Sequence, residues 1–188
     1  MKYDFAERLE FSQGSRINFD LNLIRDIIPH CVSVNKTDTL TDKTGIDYIA
    51  KLRGGAEIGI DVKTREKGAS RWWKNGEAEL ALEIWSVCPD KINNIHGKRG
   101  WTLSDNSNVD LILYTFDSKD CEKFYLLPFQ HLRTVFIKNG RDWINKFQRK
   151  KQNSNGWQSE AVFVPASIVL NAIQNEMFGN IVTAGEKN

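Results

Sequence analysis

The sequence predicts an α/β (α+β) fold in which a mixed central sheet is flanked by helices. Segments with the apolar spacing of helices interleave with segments that have the alternating or continuous apolar pattern of strands. Residues 109–116 are almost entirely apolar, as expected for a central strand buried on both faces. Because 188 residues suffice for a hydrophobic core, we expect one domain over 1–188, with a frayed tail after about residue 178.

The first elements are expected to be two helices followed by a strand. Asp4 can cap a short helix near the start of the chain. Residues 20–28 are a second helix candidate, which ends before Pro29 because proline does not continue a helix. Residues 30–35 are predicted to form a strand that leads into a polar loop.

Residues 45–66 then predict a β-hairpin. Apolar and polar residues alternate on both sides of a three-residue turn at 53–55, where glycine can take the left-handed conformation. Any one-residue slip would place the apolar side chains of the two strands on different faces. The matched register contains the pairs Leu52–Ala56, Ala50–Ile58, Tyr48–Ile60, Ile46–Val62 and Lys51–Glu57.

The same register places Asp47 opposite Asp61. Like charges directly opposite one another destabilise a sheet, and their Cβ atoms would be roughly 5 Å apart. A divalent cation between the two carboxylates removes this repulsion. The hairpin therefore predicts a cation site.

The rest of the chain is predicted to continue as interleaved helices and strands. The segment 75–87 is interpreted as a helix, with Leu80, Ile84 and Val87 on one stripe. Gly140 is expected to end one short helix and Asp142 to cap the next. The predicted elements are a helix over 75–87, strands over 109–116 and 123–129, short helices over 129–138 and 142–150, a strand over 160–165 and a helix over 166–177.

Composition excludes several classes of protein. The net charge is only +2, so no general basic field indicates nucleic acid. The chain has no apolar run of membrane length and no apolar block typical of a signal peptide, so we expect no membrane partner. Cys31, Cys88 and Cys121 are far apart, which argues against a zinc site or a disulfide framework and favours a cytoplasmic location.

The chemistry of the hairpin favours Mg²⁺, with Mn²⁺ expected to substitute. Asp47, Asp61 and the carbonyl group of Val62 can supply oxygen ligands, and Mg²⁺ usually combines few carboxylates with waters and phosphate oxygens. Lys63, two residues after Asp61 on the same strand face, can orient or deprotonate a water molecule and stabilise charge on phosphorus. These parts together predict hydrolysis of a phosphodiester.

Asp47 followed by Asp61-x-Lys63 on a hairpin resembles the PD-(D/E)xK nuclease superfamily, particularly its Holliday junction resolvase-like members. The segment "FYLLPFQHLR" resembles uncharacterised phage and bacterial members. The resemblance implies a restriction endonuclease-like core, metal ligation by Asp47 and Asp61, and Lys63 as the catalytic lysine. It also implies a glutamate from the first helix, for which Glu10 is the first candidate and Glu7 the second. Ile46 departs from the family's proline, and Asp61 is the shorter of the two acids it permits.

Two basic clusters rich in tryptophan are candidate nucleic-acid contacts. Arginine and lysine can position phosphates, and tryptophan can stack on bases or wedge into a duplex. A solvated surface is the simpler interpretation of each basic run, including 145–152, and Glu79 and Glu83 could extend the site or lie on a solvated helix face. The candidates are Arg65, Lys67, Arg71, Trp72, Trp73 and Lys74, with Lys98 and Arg99 as a second patch.

These observations predict a Mg²⁺-dependent DNA endonuclease acting on double-stranded or branched DNA with structural or weak sequence preference. A homodimer is compatible with this activity, because cutting two strands takes two sites. One alternative is a catalytically inactive nuclease fold that binds DNA or inhibits a partner, as a phage counter-defence protein would. Another is a nuclease acting on RNA or single strands.

Overall fold

The computed structural model describes residues 21–37, 45–65, 73–74, 76–90, 92, 94–105, 108–116, 124–154 and 157–179. The helix expected after Asp4 and nearly all of the tail expected to fray lie outside these residues. The chain forms two compact units that alternate along the sequence. The first unit comprises Met1–Trp72, Asp105–Phe129 and Ser154–Gly156, and the second comprises Trp73–Ser104, Gln130–Asn153 and Trp157–Asn188. The single domain over 1–188 stays a prediction.

The described elements confirm an α+β class with a mixed sheet. In chain order they are α1 (Leu21–Ile27), β1 (Cys31–Lys36), β2 (Tyr48–Leu52), β3 (Glu57–Arg65), β4 (Trp73–Lys74), β5 (Glu77–Val87), β6 (Lys98–Arg99), a 3₁₀ turn (Trp101–Leu103), β7 (Leu111–Phe116), β8 (Phe124–Pro128), α2 (Phe129–Lys146), β9 (Gln148–Ser154), β10 (Trp157–Pro165) and α3 (Ala166–Phe178). Among these helices, none combines the length and the apolar character needed to cross a membrane.

The first unit contains a five-stranded mixed sheet in the order β1-β2-β3-β7-β8. Strand β3 is antiparallel to β2 and parallel to β7, whereas the outer pairs β1–β2 and β7–β8 are antiparallel. This places β3 at the centre of the sheet. The predicted helix 20–28 and the strands 30–35, 109–116 and 123–129 are confirmed, with bounds shifted by one or two residues.

Helix α1 covers one face of this sheet and fixes which side chains of β2 and β3 point inward. Ile24 and Ile28 of the helical segment pack in one cluster with Ala50, Ile60 and Leu113, all of them buried. Burial of such apolar side chains contributes roughly 1.5–3 kcal/mol each. Because side chains alternate along a strand, the residues of β3 on either side of Ile60 face the other way.

The predicted hairpin register is confirmed along the ladder. Tyr48 lies opposite Ile60, Ala50 opposite Ile58, and Lys51 opposite Glu57, with which it forms a 3.0 Å ion pair. The turn closes where the Leu52 amide donates to the Ala56 carbonyl at 2.8 Å, and Gly55 has a φ of 86°. The predicted Ile46–Val62 pair is not formed in the ladder, because β2 begins at Tyr48.

Ile46 instead packs beside Gly59, where an added Cβ atom would lie 3.1 Å from its Cδ1 atom. The Gly59 amide donates to an oxygen of the Asp110 carboxylate at 2.7 Å. Gly59 therefore allows the segment before β2 to cross close to β3. The tightness of this crossing explains why Ile46 leaves the alternating pattern.

The prediction of a helix over 75–87 is wrong, because this segment forms strand β5. Leu80 and Ile84 fit the spacing of a helix, but Ala78, Leu80, Leu82 and Ile84 also alternate with a period of two. The strand pairs with β10 along one edge and with β4 and β6 along the other. Residues 78–82 are buried on both faces, which a single amphipathic stripe would not achieve.

The second unit is built on this strand. Its sheet has the order β4-β5-β10-β9, and β6 also pairs with β5. The predicted strand 160–165 and helix 166–177 are confirmed as the end of β10 and as α3. The described sheets are therefore two in number, where the sequence predicted one central sheet.

The predicted break at Gly140 is also wrong, because α2 is continuous from Phe129 to Lys146. A glycine inside a helix costs about 1 kcal/mol relative to alanine. Here Phe136 and Trp143 are both buried, with ring centroids 6.0 Å apart, and the Phe136 ring packs against Gly140. Burial of these rings outweighs the glycine penalty. Asp142 accordingly lies inside the helix and does not cap a second one.

The close approach of Gly100 to β5 gives a test of this strand assignment. A Cβ atom at position 100 would lie 2.2 Å from the carbonyl oxygen of Glu83. We expect Gly100→Ala to reduce the free energy of unfolding by at least about 2 kcal/mol in urea titrations followed by circular dichroism, because backbone must move.

Gly54→Ala is the matched control, since nothing lies within 4 Å of a Cβ atom there. It should change the free energy of unfolding by no more than about 0.5 kcal/mol. Equal unfolding midpoints for the two variants would contradict the packing of Gly100 against β5.

Candidate metal centre

Asp47 is held against β3 by its backbone and by its side chain. Its amide donates to the Ile60 carbonyl at 2.9 Å, and its own carbonyl accepts from the Thr37 amide at 2.9 Å. Its Oδ2 atom accepts a hydrogen bond from the Val62 amide at 2.7 Å. The residue lies just before β2, yet these bonds fix its carboxylate beside the centre of β3.

Asp61 and Lys63 lie on β3, on the face opposite to Ile60. The Lys63 Nζ atom is 2.7 Å from both carboxylate oxygens of Asp61. Asp61 is only 6% exposed, whereas the Lys63 side chain is 31% exposed. The alternation of β3 thus places an acid and an ammonium group side by side while Val62 contributes to the apolar face.

The two aspartates are close together, although the predicted Asp47–Asp61 pair is not part of the ladder, which ends at Tyr48 opposite Ile60. The carboxyl group of Asp47 lies close enough to that of Asp61 for the two to interact electrostatically. The pKa of Asp61 is raised from its ordinary 3.8 to about 7. Burial is the largest cause, the nearby Lys63 lowers the pKa, and the nearby Asp47 raises it. Two carboxyl groups this close favour holding one proton between them.

A divalent cation would replace that proton. Asp47 just before β2, together with Asp61 and the Val62 carbonyl on β3, would supply oxygen atoms, the ligand type that Mg²⁺ selects. Within the described ranges, no group of three or more histidine, cysteine or acidic side chains comes together. The other predicted carboxylate, Glu10, lies outside those ranges, as does Glu7. Any cation would also share Asp61 with the ammonium group of Lys63.

Arg65 is anchored on the same strand by a residue that the sequence did not single out. Its Nε atom donates to the Tyr114 hydroxyl at 2.6 Å, and its guanidinium carbon lies 5.7 Å from the ring centroid. Tyr114 is fully buried on β7, opposite Lys63 in the parallel ladder. A buried tyrosine hydroxyl requires a hydrogen-bonding partner. The tyrosine in a largely apolar predicted strand could therefore have indicated that a polar side chain lies against it.

The second predicted patch belongs to the other unit. Lys98 and Arg99 form β6 and are exposed. Trp73 and Lys74 form β4, but the structure describes their backbone only. Three further predicted contacts lie outside the described residues: Lys67, Arg71 and Trp72.

Glu79 and Glu83 lie on β5 of the second unit, on a strand where the sequence predicted a helix. Glu79 is buried. The Oε2 atom of Glu83 accepts hydrogen bonds from the Ser86 hydroxyl at 2.7 Å and the Trp101 amide at 3.1 Å. Glu83 therefore holds the turn at Trp101 in place.

Comparison with family models, with curated proteins and with solved structures gave no match. The aspartate pair, the lysine and the strands that hold them are therefore the basis for assigning a function to this chain.

The raised pKa of Asp61 predicts how stability depends on pH without metal. Between pH 4 and 7 the folded carboxyl keeps a proton that the unfolded chain has lost, so unfolding becomes more favourable as pH rises. We expect the free energy of unfolding to fall by up to about 4 kcal/mol across this range. Urea titrations in EDTA at several pH values measure it.

Asp61→Asn should flatten this pH dependence and make the metal-free protein more stable at pH 7, because the amide does not ionise. Glu57→Gln is the control, since Glu57 is exposed on the same hairpin. That variant should keep the pH dependence of the wild type. A wild-type profile that is flat or rises from pH 4 to 7 would contradict the raised pKa.

Proposed function

We propose that the protein is a metal-dependent DNA endonuclease of the PD-(D/E)xK type, with Mg²⁺ as its cofactor and a restriction endonuclease-like core. One observation carries the proposal: the carboxyl group of Asp47 lies beside that of the buried Asp61, whose two oxygens are each 2.7 Å from the Lys63 ammonium group. These are the residues that the resemblance assigns to metal binding and catalysis.

The surrounding strands support the proposal. Asp61 and Lys63 lie at the centre of a mixed sheet, with the antiparallel hairpin strand β2 on one side and the parallel strand β7 on the other. A helix covers the apolar face, and on the other face the buried Asp61 lies beside the Lys63 side chain, which is 31% exposed. Catalytic groups on rigid central strands hold their geometry better than groups on loops.

The chain's own groups would share the work as follows. Asp47 and Asp61 would hold the cation, with the Val62 carbonyl as a further oxygen ligand. When bound, Mg²⁺ supplies Lewis acidity and lowers the pKa of its water. Lys63 is close enough to Asp61 to orient a water molecule held there, and its positive charge can stabilise negative charge developing on phosphate oxygens. Arg65, anchored to Tyr114, would position a neighbouring phosphate.

A second candidate is a protein with the nuclease fold that binds DNA or inhibits a partner without catalysis. The contact of Lys63 with both oxygens of Asp61 favours it, because this ion pair partly neutralises the buried acid without a cation. The two functions differ in one respect: only a nuclease would use Asp47 and Asp61 to hold a metal ion and cleave DNA.

Cleavage assays decide between them. Purified protein is incubated with supercoiled, linear and branched DNA, with single-stranded DNA and with RNA, in Mg²⁺, Mn²⁺ or EDTA. We expect cleavage of double-stranded or branched DNA with either metal and none in EDTA. Asp61→Asn should reduce the rate by about 100-fold or more, because it removes a ligand, while Glu57→Gln should leave it unchanged. Binding of DNA without cleavage of any substrate would support the second candidate.

Lys63→Met separates catalysis from metal binding. We expect the variant to bind Mn²⁺ in isothermal titration calorimetry but to cleave at least about 100-fold more slowly, since the charge that acts on water and phosphate is gone. Lys51→Met is the control, because Lys51 is an exposed lysine of the same hairpin that pairs with Glu57. Equal cleavage rates for the two variants would exclude a catalytic role for Lys63.

A further inference from the structure

Strand β9 (Gln148–Ser154) is an exposed and strongly basic sheet edge. It is the last strand of the second sheet in the part of the chain that the structure describes, and residues 148–153 are all exposed. Three cations follow one another at Arg149, Lys150 and Lys151. The strand contains no acidic residue and no apolar side chain. On an ordinary solvated surface basic residues are interspersed with acidic ones. On β9 they are not, so the strand itself carries a net positive charge.

Contacts with the neighbouring strand β10 position two of these cations, Arg149 and Lys150. The Nε atom of Arg149 lies 3.1 Å from an oxygen of the buried Glu160 carboxylate. The ammonium group of Lys150 lies 5.3 Å from the centroid of the Phe163 ring. Alternation along the strand places Lys150 on the face opposite to Arg149 and Lys151.

The opposite margin of this sheet is also basic. Glu160 lies beside Trp85 in the ladder between β10 and β5, and Trp85 lies beside Arg99 in the ladder between β5 and β6. A row of paired residues therefore runs from Arg99 through Trp85 to Glu160, whose carboxylate pairs with Arg149 on the next strand. At about 4.8 Å per strand, cationic residues occupy both margins of this end of the sheet, roughly 14 Å apart.

We propose that β9 is a docking strand for the phosphodiester backbone of DNA, an inference that rests on the nuclease function proposed above. An edge strand presents outward-facing amide groups, and amides together with lysine, glutamine and asparagine side chains are common donors to phosphate oxygens. Gln148, Gln152 and Asn153 supply such donors. The Oδ1 atom of Asn153 accepts from the Gln158 side chain at 2.8 Å, which leaves its amide group oriented as a donor.

The composition of β9 favours DNA over an anionic membrane, because the strand offers no apolar side chain to insert among lipids. Lysines on edge strands also prevent sheets from pairing with one another. A single charged residue serves that purpose, whereas β9 has three in succession on both faces. Its cations would hold the DNA without reading sequence, as contacts to the backbone do.

Fluorescence anisotropy of the full chain with a labelled DNA duplex, in EDTA to prevent cleavage, tests the proposal. Lys150→Ala/Lys151→Ala should weaken binding about 10-fold or more and reduce the slope of log K against log salt by about 1–2, since two phosphate contacts are lost. Lys36→Ala/Arg53→Ala removes the same charge from exposed positions of the first unit and should change affinity less than about 2-fold.

Lys150→Arg/Lys151→Arg should restore binding, because it restores the charge. Failure of the wild type to bind DNA, or equal affinities for the alanine variants of the two units, overturns the proposal. Binding to phosphatidylserine vesicles but not to DNA overturns it as well. Light scattering reports whether the alanine variant aggregates; aggregation with unchanged DNA affinity would assign β9 to edge protection and overturn the docking role.

Cleavage kinetics distinguish this proposal from the nuclease function. If both hold, Lys150→Ala/Lys151→Ala should raise KM for DNA and leave kcat unchanged. If the wild type binds DNA through β9 but cuts nothing in Mg²⁺ or Mn²⁺, the docking strand stands and the nuclease function fails. If the wild type cuts DNA and the variant has an unchanged KM, the nuclease function stands and the docking strand fails.

Discussion

The contact between the carboxyl group of Asp47 and the buried carboxyl group of Asp61 is the constraint on which the first unit depends. Water is nearly excluded from Asp61, so its negative charge must be offset by a proton, by Lys63 or by a cation. Each of these states gives the sheet a different stability. Pairing of β3 with β2 and β7 keeps the carboxyl groups together and prevents them from separating to relieve the repulsion.

The hairpin could be predicted from the sequence because all its determinants are local. The turn at Arg53–Gly55 and the alternation on both sides of it define one register as far as Tyr48 opposite Ile60. Asp47 follows directly beyond the end of this ladder, where the Val62 amide donates to its carboxylate beside Asp61. The displacement of Ile46 could not be predicted in this way. Ile46 packs against Gly59, where an added Cβ atom would also lie 3.0 Å from the carbonyl oxygen of Asn108, so residues distant in the sequence share this crowded position.

Other features depend on partners far along the chain. Leu80 and Ile84 fit both a helix and a strand, and only pairing with β10, which begins at Trp157, decides in favour of the strand. The helix through Gly140 likewise depends on the burial of Phe136 and Trp143. Local propensity is a weak guide where tertiary packing contributes more free energy than the backbone preference of one residue.

The parallel pairing of β3 with β7 has a consequence for how the protein is made. Thr64 and Thr115, whose hydroxyl groups share a hydrogen bond, are 51 residues apart, and strands β4 to β6 of the other unit lie between them in the sequence. On the ribosome the hairpin of β2 and β3 therefore emerges well before β7 can pair with the open edge of β3. The edge of β3 stays unpaired while β4 to β6 are synthesised. The strands around Asp61 and Lys63 are therefore complete only after β7 has been translated.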